Sequence, residues 1–214
     1  MAFSILITGF GPFPGAPFNP TVSLVARLAK QRRPALAEAT IVAHVFPTSY
    51  AAVDRELPGL IAQHRPDVLL MFGLAAGRKT LCIETRARNA LAHSPDVGGG
   101  APRGGQILPG GPAEMTMPAP ARRLLATLRG AHVPATLSRD AGRYLCNYLC
   151  WRAAEAARRP AGPRLAAFVH IPAVARWPRR RSKHRMLKLD DLARAGSALL
   201  AATAARHVSD RKPH

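Results

Sequence analysis

Asp67-Val68-Leu69-Leu70-Met71-Phe72 opens on one acidic residue and is then apolar at every position. A strand with one wet face alternates apolar with polar side chains. A short unbroken apolar run bounded by polar residues is what a strand covered on both faces requires. Such strands sit in parallel sheets, where crossover helices cover both sides. The rest of the chain repeats the theme. Residues 3–9, 39–46, 135–138 and 165–170 read as further strands, and 80–86 as one in which Leu81 and Ile83 alternate with Cys82 and Glu84. Helical periods lie between them. One starts near Pro20, with Asn19 as cap and Val22, Leu24, Val25 and Leu28 on its apolar side; another, over 50–63, carries Val53, Leu57, Leu60 and Ile61. Further helices are predicted around 124–129, over 147–158 and over 187–205. The order of elements predicts a three-layer α/β/α sandwich with a largely parallel central sheet, a class in which sites gather at the carboxyl ends of strands.

The 214 residues suit a single domain over 1–214, and 48% hydrophobic residues exclude a disordered chain. Seven glycines and four prolines within 94–112 mark a long loop inside the domain, since regular patterns resume on both sides. Three cysteines, with no CxxC among them, give neither a disulfide framework nor a zinc ribbon. The first apolar run is too short to span a membrane, and no basic segment of a secretory leader precedes it. The expected setting is the cytoplasm, with no membrane partner. The charge is +19, from 31 basic and 12 acidic residues. Most of it is dispersed, as in an arginine-rich composition of no particular function. The exception is the basic segment 176–188, with seven Lys or Arg in 13 positions, which keeps open a non-catalytic protein that binds nucleic acid. Only Trp177 supplies an aromatic ring there.

The chemistry is concentrated in two segments. Asp140-Ala141-Gly142-Arg143-Tyr144-Leu145-Cys146-Asn147 puts a thiol just after a glycine turn, at the start of a helical pattern. The positive end of a helix dipole favours thiolate over thiol, and a nearby imidazole lowers the thiol pKa further, from about 8.5 to well below 7. Phe168-Val169-His170-Ile171-Pro172 ends an apolar strand with such an imidazole. Cys150, one turn further along the helix, and Cys82, in mid-strand, read as packing residues. His44 inside its strand reads as a satisfied interior histidine. A third group is needed to orient the imidazole. Glu84 sits in an apolar alternating strand, where a lone carboxylate is costly. Arg86 on the same face is its bland alternative partner, and Asp140 the competing carboxylate, though its place before Ala141-Gly142 suits turn capping.

These residues also fall into a family pattern. Thr8-Gly9-Phe10-Gly11-Pro12-Phe13 with Asn19-Pro20-Thr21, then Gly73-Leu74-Ala75-Ala76-Gly77-Arg78, Ile83-Glu84, Ala141-Gly142-Arg143-Tyr144-Leu145-Cys146-Asn147 and Val169-His170-Ile171-Pro172 resemble, in order, the motifs of pyroglutamyl peptidase type I, also called pyrrolidone-carboxylate peptidase. The resemblance runs from about residue 4 to 174. It implies a cysteine exopeptidase that removes an N-terminal pyroglutamyl residue from peptides with a blocked N-terminus, without metal or cofactor, as a homo-oligomer and commonly a tetramer. The implied catalytic residues are Glu84, Cys146 and His170. The implied substrate contacts are Phe10, Phe13, Leu74, His93 and Leu145, with the two phenylalanine rings walling a flat pocket. Backbone N–H groups at the start of the Cys146 helix are expected to serve the oxyanion.

Two departures from the family pattern bear on specificity. Leu74 stands where the family carries a glutamine that helps recognise the lactam, and leucine neither donates nor accepts a hydrogen bond. In Ala92-His93-Ser94-Pro95-Asp96, aligned with a one-residue deletion, His93 takes the place of an arginine near the site. A cysteine hydrolase with altered N-terminal amide specificity is the alternative these departures raise.

Overall fold

The computed structural model describes residues 3–102, 104–174 and 186–210, with side chains to residue 205. Residues 176–185 of the basic segment lie outside the described residues. Six strands form the central sheet in the order β2-β1-β3-β8-β4-β7. They are β1 (Phe3–Phe10), β2 (Ala39–Phe46), β3 (Val68–Leu74), β4 (Leu81–Glu84), β7 (Ala135–Ser138) and β8 (Leu165–Ile171), while β5 (Arg86–Arg88) and β6 (Glu114–Thr116) make a small antiparallel pair. The helices are α1 (Pro20–Ala29), α2 (Tyr50–His64), α3 (Ala121–Gly130), α4 (Leu145–Ala157) and α5 (Leu189–Asp210).

Strand alternation sorts the core into two layers. Val68, Leu70 and Phe72 of β3 join Leu24 and Leu28 of α1, Leu124 and Leu128 of α3, and Leu192 and Leu199 of α5 on one face. Leu69 and Met71 join Val53 and Leu57 of α2 and Leu149 and Trp151 of α4 on the other. The apolar run 68–72 is thus buried on both sides, as read. Asn19 caps α1, its Oδ1 accepting from Thr21 N–H at 3.1 Å. Val22, expected on the apolar side of α1, is exposed. The run 22, 24, 25, 28 spans more than one helical face, and the buried set is Leu24, Val25 and Leu28 with Pro20 and Thr21.

The sheet is mixed. β2, β1, β3 and β8 are mutually parallel, whereas β4 pairs antiparallel with β8 and parallel with β7. Loop length explains the reversal: only residues 75–80 join β3 to β4, too few for a crossover back to a parallel start. One boundary read from the sequence is corrected here. The strand read over 80–86 stops at Glu84, and the chain resumes as β5 in the small sheet. Strand β7, which precedes Cys146, runs against the parallel set, so residues 139–144 must carry the chain back to α4.

Candidate active site

Parity along the strands puts the candidate residues on one face. Cys82 and Glu84 alternate with Leu81 and Ile83, and His170 alternates with Val169 and Ile171, which all belong to the α1/α3/α5 core. Glu84 and His170 therefore face α4. In the antiparallel register Glu84 lies opposite Phe168 and Cys82 opposite His170, so Glu84 and His170 are diagonal neighbours, within reach of long side chains. Glu84 is fully buried and His170 nearly so. His170 Nδ1 lies 2.7 Å from Glu84 Oε1, donating to the carboxylate. That contact leaves Nε2 for Cys146, the residue with the strongest favourable effect on the imidazolium. The His170 pKa is pushed up to about 9: burial opposes the cation, but Cys146 and then the Glu84 carboxylate more than offset it.

Cys146 arrives on α4, which begins at Leu145 with Tyr144 as an extended N-cap, two residues earlier than read from the sequence. The first backbone bond of the helix runs from Tyr148 N–H to the Tyr144 carbonyl. The N–H groups of Leu145, Cys146 and Asn147 thus precede it and point out of the helix start, which is what an oxyanion site needs. The turn before the helix uses Gly142 at φ +82, a left-handed conformation, capped by Asp140 Oδ1, which accepts from Gly142 N–H at 3.0 Å. Asp140 is an exposed turn residue, as its setting suggested.

Asn147 is buried and fastens this helix start. Its Oδ1 accepts from Arg88 N–H at 2.8 Å, while its Nδ2 donates to the carbonyls of Arg88 and Ala90 at 2.8 and 3.0 Å. Beneath the thiol lies Gly73 of β3. A Cβ there would stand 2.8 Å from Cys146 Sγ and 2.6 Å from Phe168 Cζ, closer than carbon tolerates. Gly73→Ala is accordingly expected to lower stability by about 1–3 kcal/mol and, by displacing the thiol, to cut kcat on the order of 100-fold. A variant with wild-type kcat and melting temperature would mean the thiol does not rest on this glycine.

The remaining candidates are distributed around these elements. Phe10 is 3% exposed and packs on Phe46, their ring centroids 6.1 Å apart, so it is wall rather than surface. Phe13 is half-buried in the following turn. That turn is held by three side chains. Thr21 Oγ1 donates to the Phe10 carbonyl at 2.7 Å, and Asn19 Nδ2 and Thr48 Oγ1 both donate to the Gly11 carbonyl, at 3.1 and 3.0 Å. Leu145 is 1% exposed and belongs to the core between sheet and α4. Leu74 ends β3 half-buried, on the opposite parity to Gly73. His93 is exposed in the loop beside the Cys146 turn, where Ala92 N–H donates to the Arg143 carbonyl and Tyr144 Oη to the Pro95 carbonyl.

Cys82 and Cys150 are both buried, and burial pushes the Cys150 thiol well above its ordinary value. His44 is paired, its Nε2 2.9 Å from Glu56 Oε2. The bland partner proposed for Glu84 was the wrong arginine. Arg86 is taken by Glu114 and by the Arg139 carbonyl, and it is Arg78 that meets Glu84, Nη1 to Oε1 at 3.0 Å. Arg78 ends the Gly73–Arg78 motif on the connection before β4, six residues from Glu84, a pairing that strand periodicity does not reveal. Among the described residues no group of three or more His, Cys, Asp or Glu could hold a metal ion, and no helix is long and apolar enough to cross a membrane. A cavity of about 530 Å³ between α2 and α4, lined by Val53, Leu57, Ile61 and Arg152 among others, includes none of the candidate residues and is separate from this chemistry.

Comparison with known proteins agrees with the motif order. A family profile described as pyroglutamyl peptidase matches residues 3–186. The pyrrolidone-carboxylate peptidase of Levilactobacillus brevis is 34% identical over 206 residues, covering 95% of this chain and 98% of that protein. That of Cupriavidus pinatubonensis is 29% identical over 211 residues, with 98% and 96% covered. Among solved structures, pyroglutamyl peptidase I of Bacillus amyloliquefaciens superposes with a TM-score of 0.83 at 30% identity, covering 95% of this chain and 97% of that one. The pyrrolidone carboxyl peptidase of Thermococcus litoralis gives 0.86 at 27%, with 98% and 97% covered.

Proposed function

Because the chain belongs to the pyroglutamyl peptidase family, we propose that it is a cysteine exopeptidase that hydrolyses the bond after an N-terminal pyroglutamyl residue. The observation that carries this reading is a single imidazole held between a buried carboxylate and a thiol at a helix start. In the proposed reaction the Cys146 thiolate attacks the carbonyl carbon of the cyclic residue, and the oxyanion is met by N–H groups at the start of α4. The His170 imidazolium gives its proton to the departing amine, leaving a thioester and a neutral imidazole. A water, deprotonated by that imidazole, then attacks the thioester and releases pyroglutamate, restoring thiolate and imidazolium. Glu84 holds the Nδ1 proton throughout. We extend the reading to a cytoplasmic homo-oligomer, a tetramer by family resemblance; three free cysteines support a reducing compartment, and sizing by light scattering tests the assembly.

Leu74 favours a second reading at the level of specificity. With leucine at the lactam-recognising position, one polar contact expected for the lactam is lost, and an exposed histidine takes the place of an arginine near the site. Pyroglutamyl turnover is then expected to be present but inefficient, and Leu74→Gln to raise kcat/KM about tenfold, the equivalent of one added hydrogen bond of roughly 1.4 kcal/mol. The deciding experiment compares pyroglutamyl, prolyl and acyl coumarin amides on both forms. If wild type prefers a less polar amide and Leu74→Gln leaves pyroglutamyl turnover unchanged, the inherited substrate is wrong even where the thiol chemistry stands.

A further inference from the structure

We propose that Arg78 is a positioning residue for this chemistry, its guanidinium fixing the Glu84 carboxylate with one arm and the turn that delivers Cys146 with the other. The inference rests on the reading of Glu84, Cys146 and His170 as the catalytic set. Arg78 lies on the short connection between β3 and β4, its own N–H donating to the Ala75 carbonyl at 2.9 Å, while Ala75 N–H donates to the Ile171 carbonyl one residue past His170. From that tether Nη1 donates to Glu84 Oε1 at 3.0 Å and Nη2 to the Asp140 carbonyl at 2.5 Å.

Those two acceptors belong to different parts of the site. Glu84 orients His170, and Asp140 opens the 140–145 turn that ends at the nucleophile. A guanidinium joins them because it presents two donors in one rigid plane; an ammonium on a flexible stem reaches one acceptor at a time. Glu84 also needs the partner. Its side chain is fully buried, its Oε2 has no hydrogen-bond partner among the described residues, and its Oε1 is shared between His170 and Arg78. A buried carboxylate with only an imidazole beside it is poorly compensated, and breaking a buried charge pair moves or neutralises what remains. Arg86, the nearer arginine in sequence, is committed to Glu114 and cannot substitute. The Arg78 side chain is 28% exposed, so one edge of it faces solvent and a small cation can enter if it is cut away.

The test uses the full-length chain carrying Arg78→Ala or Arg78→Lys, assayed for kcat and KM on pyroglutamyl aminomethylcoumarin and for the rate at which iodoacetamide alkylates Cys146, mapped by mass. Arg78→Ala is expected to lower kcat on the order of 10- to 100-fold, the range of a lost charge-assisted hydrogen bond, with KM changed by less than about threefold. The alkylation rate should fall with kcat, because a displaced Glu84–His170 pair no longer holds the thiolate. Arg78→Lys should lie between, and free guanidinium should restore part of the Arg78→Ala loss. The lysine variant carries the test if the alanine variant does not fold. Wild-type kcat and alkylation in either folded variant, or a loss confined to KM, would overturn the proposal. Cys146→Ala, run in parallel, separates the two levels. If it stays active, the catalytic reading itself fails; if it is dead while Arg78→Ala is fully active, only the role of Arg78 does.

Discussion

Cys146→Ala should abolish turnover of a pyroglutamyl substrate, a loss on the order of 10⁵-fold or more, as removal of a hydrolase nucleophile does. Cys82→Ala and Cys150→Ala should keep kcat within about threefold, less than 1 kcal/mol in the barrier. The separation follows from where each thiol sits. Cys146 is partly exposed at the second residue of α4, where it acts electrostatically on His170, with Gly73 leaving room beneath it. Cys150 is one turn on, wholly buried, and its thiol is held protonated by burial, so it supplies no thiolate. Cys82 is 6% exposed in mid-strand, its Sγ 3.4 Å from Thr136 Oγ1. Because Cys150 fills core space, its alanine variant should lose a little stability while retaining activity, which a melting curve alongside the assay distinguishes. Wild-type activity in Cys146→Ala would remove the nucleophile from the reading, and loss of activity in folded Cys82→Ala would relocate it.

What was legible in the sequence tracks what is local. The both-sides-buried run 68–72, the cap at Asn19 and the glycine turn before Cys146 are short-range consequences of residue type, and each stands in the structure. The alternation of Leu81 and Ile83 with Cys82 and Glu84 was enough to give Glu84 its face. The direction of β4 was not legible, because it depends on which strand β4 joins, and that is decided by a six-residue connection and by β8, more than 80 residues away. The same gap hid Arg78. Its partners Glu84 and Asp140 meet only after the β3–β4 reversal has folded, whereas Arg86 looked suitable on periodicity alone. The role of Asn147 has no local signature; its three hydrogen bonds to the backbone of Arg88 and Ala90 need the small β5–β6 sheet, whose three-residue strands leave no periodic signal.

Glu84→Gln removes a charge with almost no change in shape, and it is expected to lower kcat by about 10³-fold, comparable in kind to amide replacements of the acidic member of hydrolase triads. Glutamine can offer His170 a carbonyl, but it adds no negative charge to stabilise the imidazolium, and it leaves Arg78 facing a neutral side chain. The pH profile carries the sharper signature. His170 is raised from 6.5 to about 9, with burial opposing the cation and Cys146 and Glu84 favouring it. The cation is therefore favoured in the folded state: its stabilisation is complete below the unfolded value near 6.5 and is lost as pH rises through about 9. Activity that needs the imidazolium should accordingly hold into the alkaline range and fall with a limb near 9. Taking away the Glu84 charge removes one of the two raising influences while Cys146 remains, so the limb should move to lower pH without vanishing. A kcat/KM profile of wild type and Glu84→Gln from neutral to strongly alkaline pH measures this. An unshifted limb together with kcat within about threefold of wild type would mean that the carboxylate beside His170 is packing, and that the imidazole is oriented by something else.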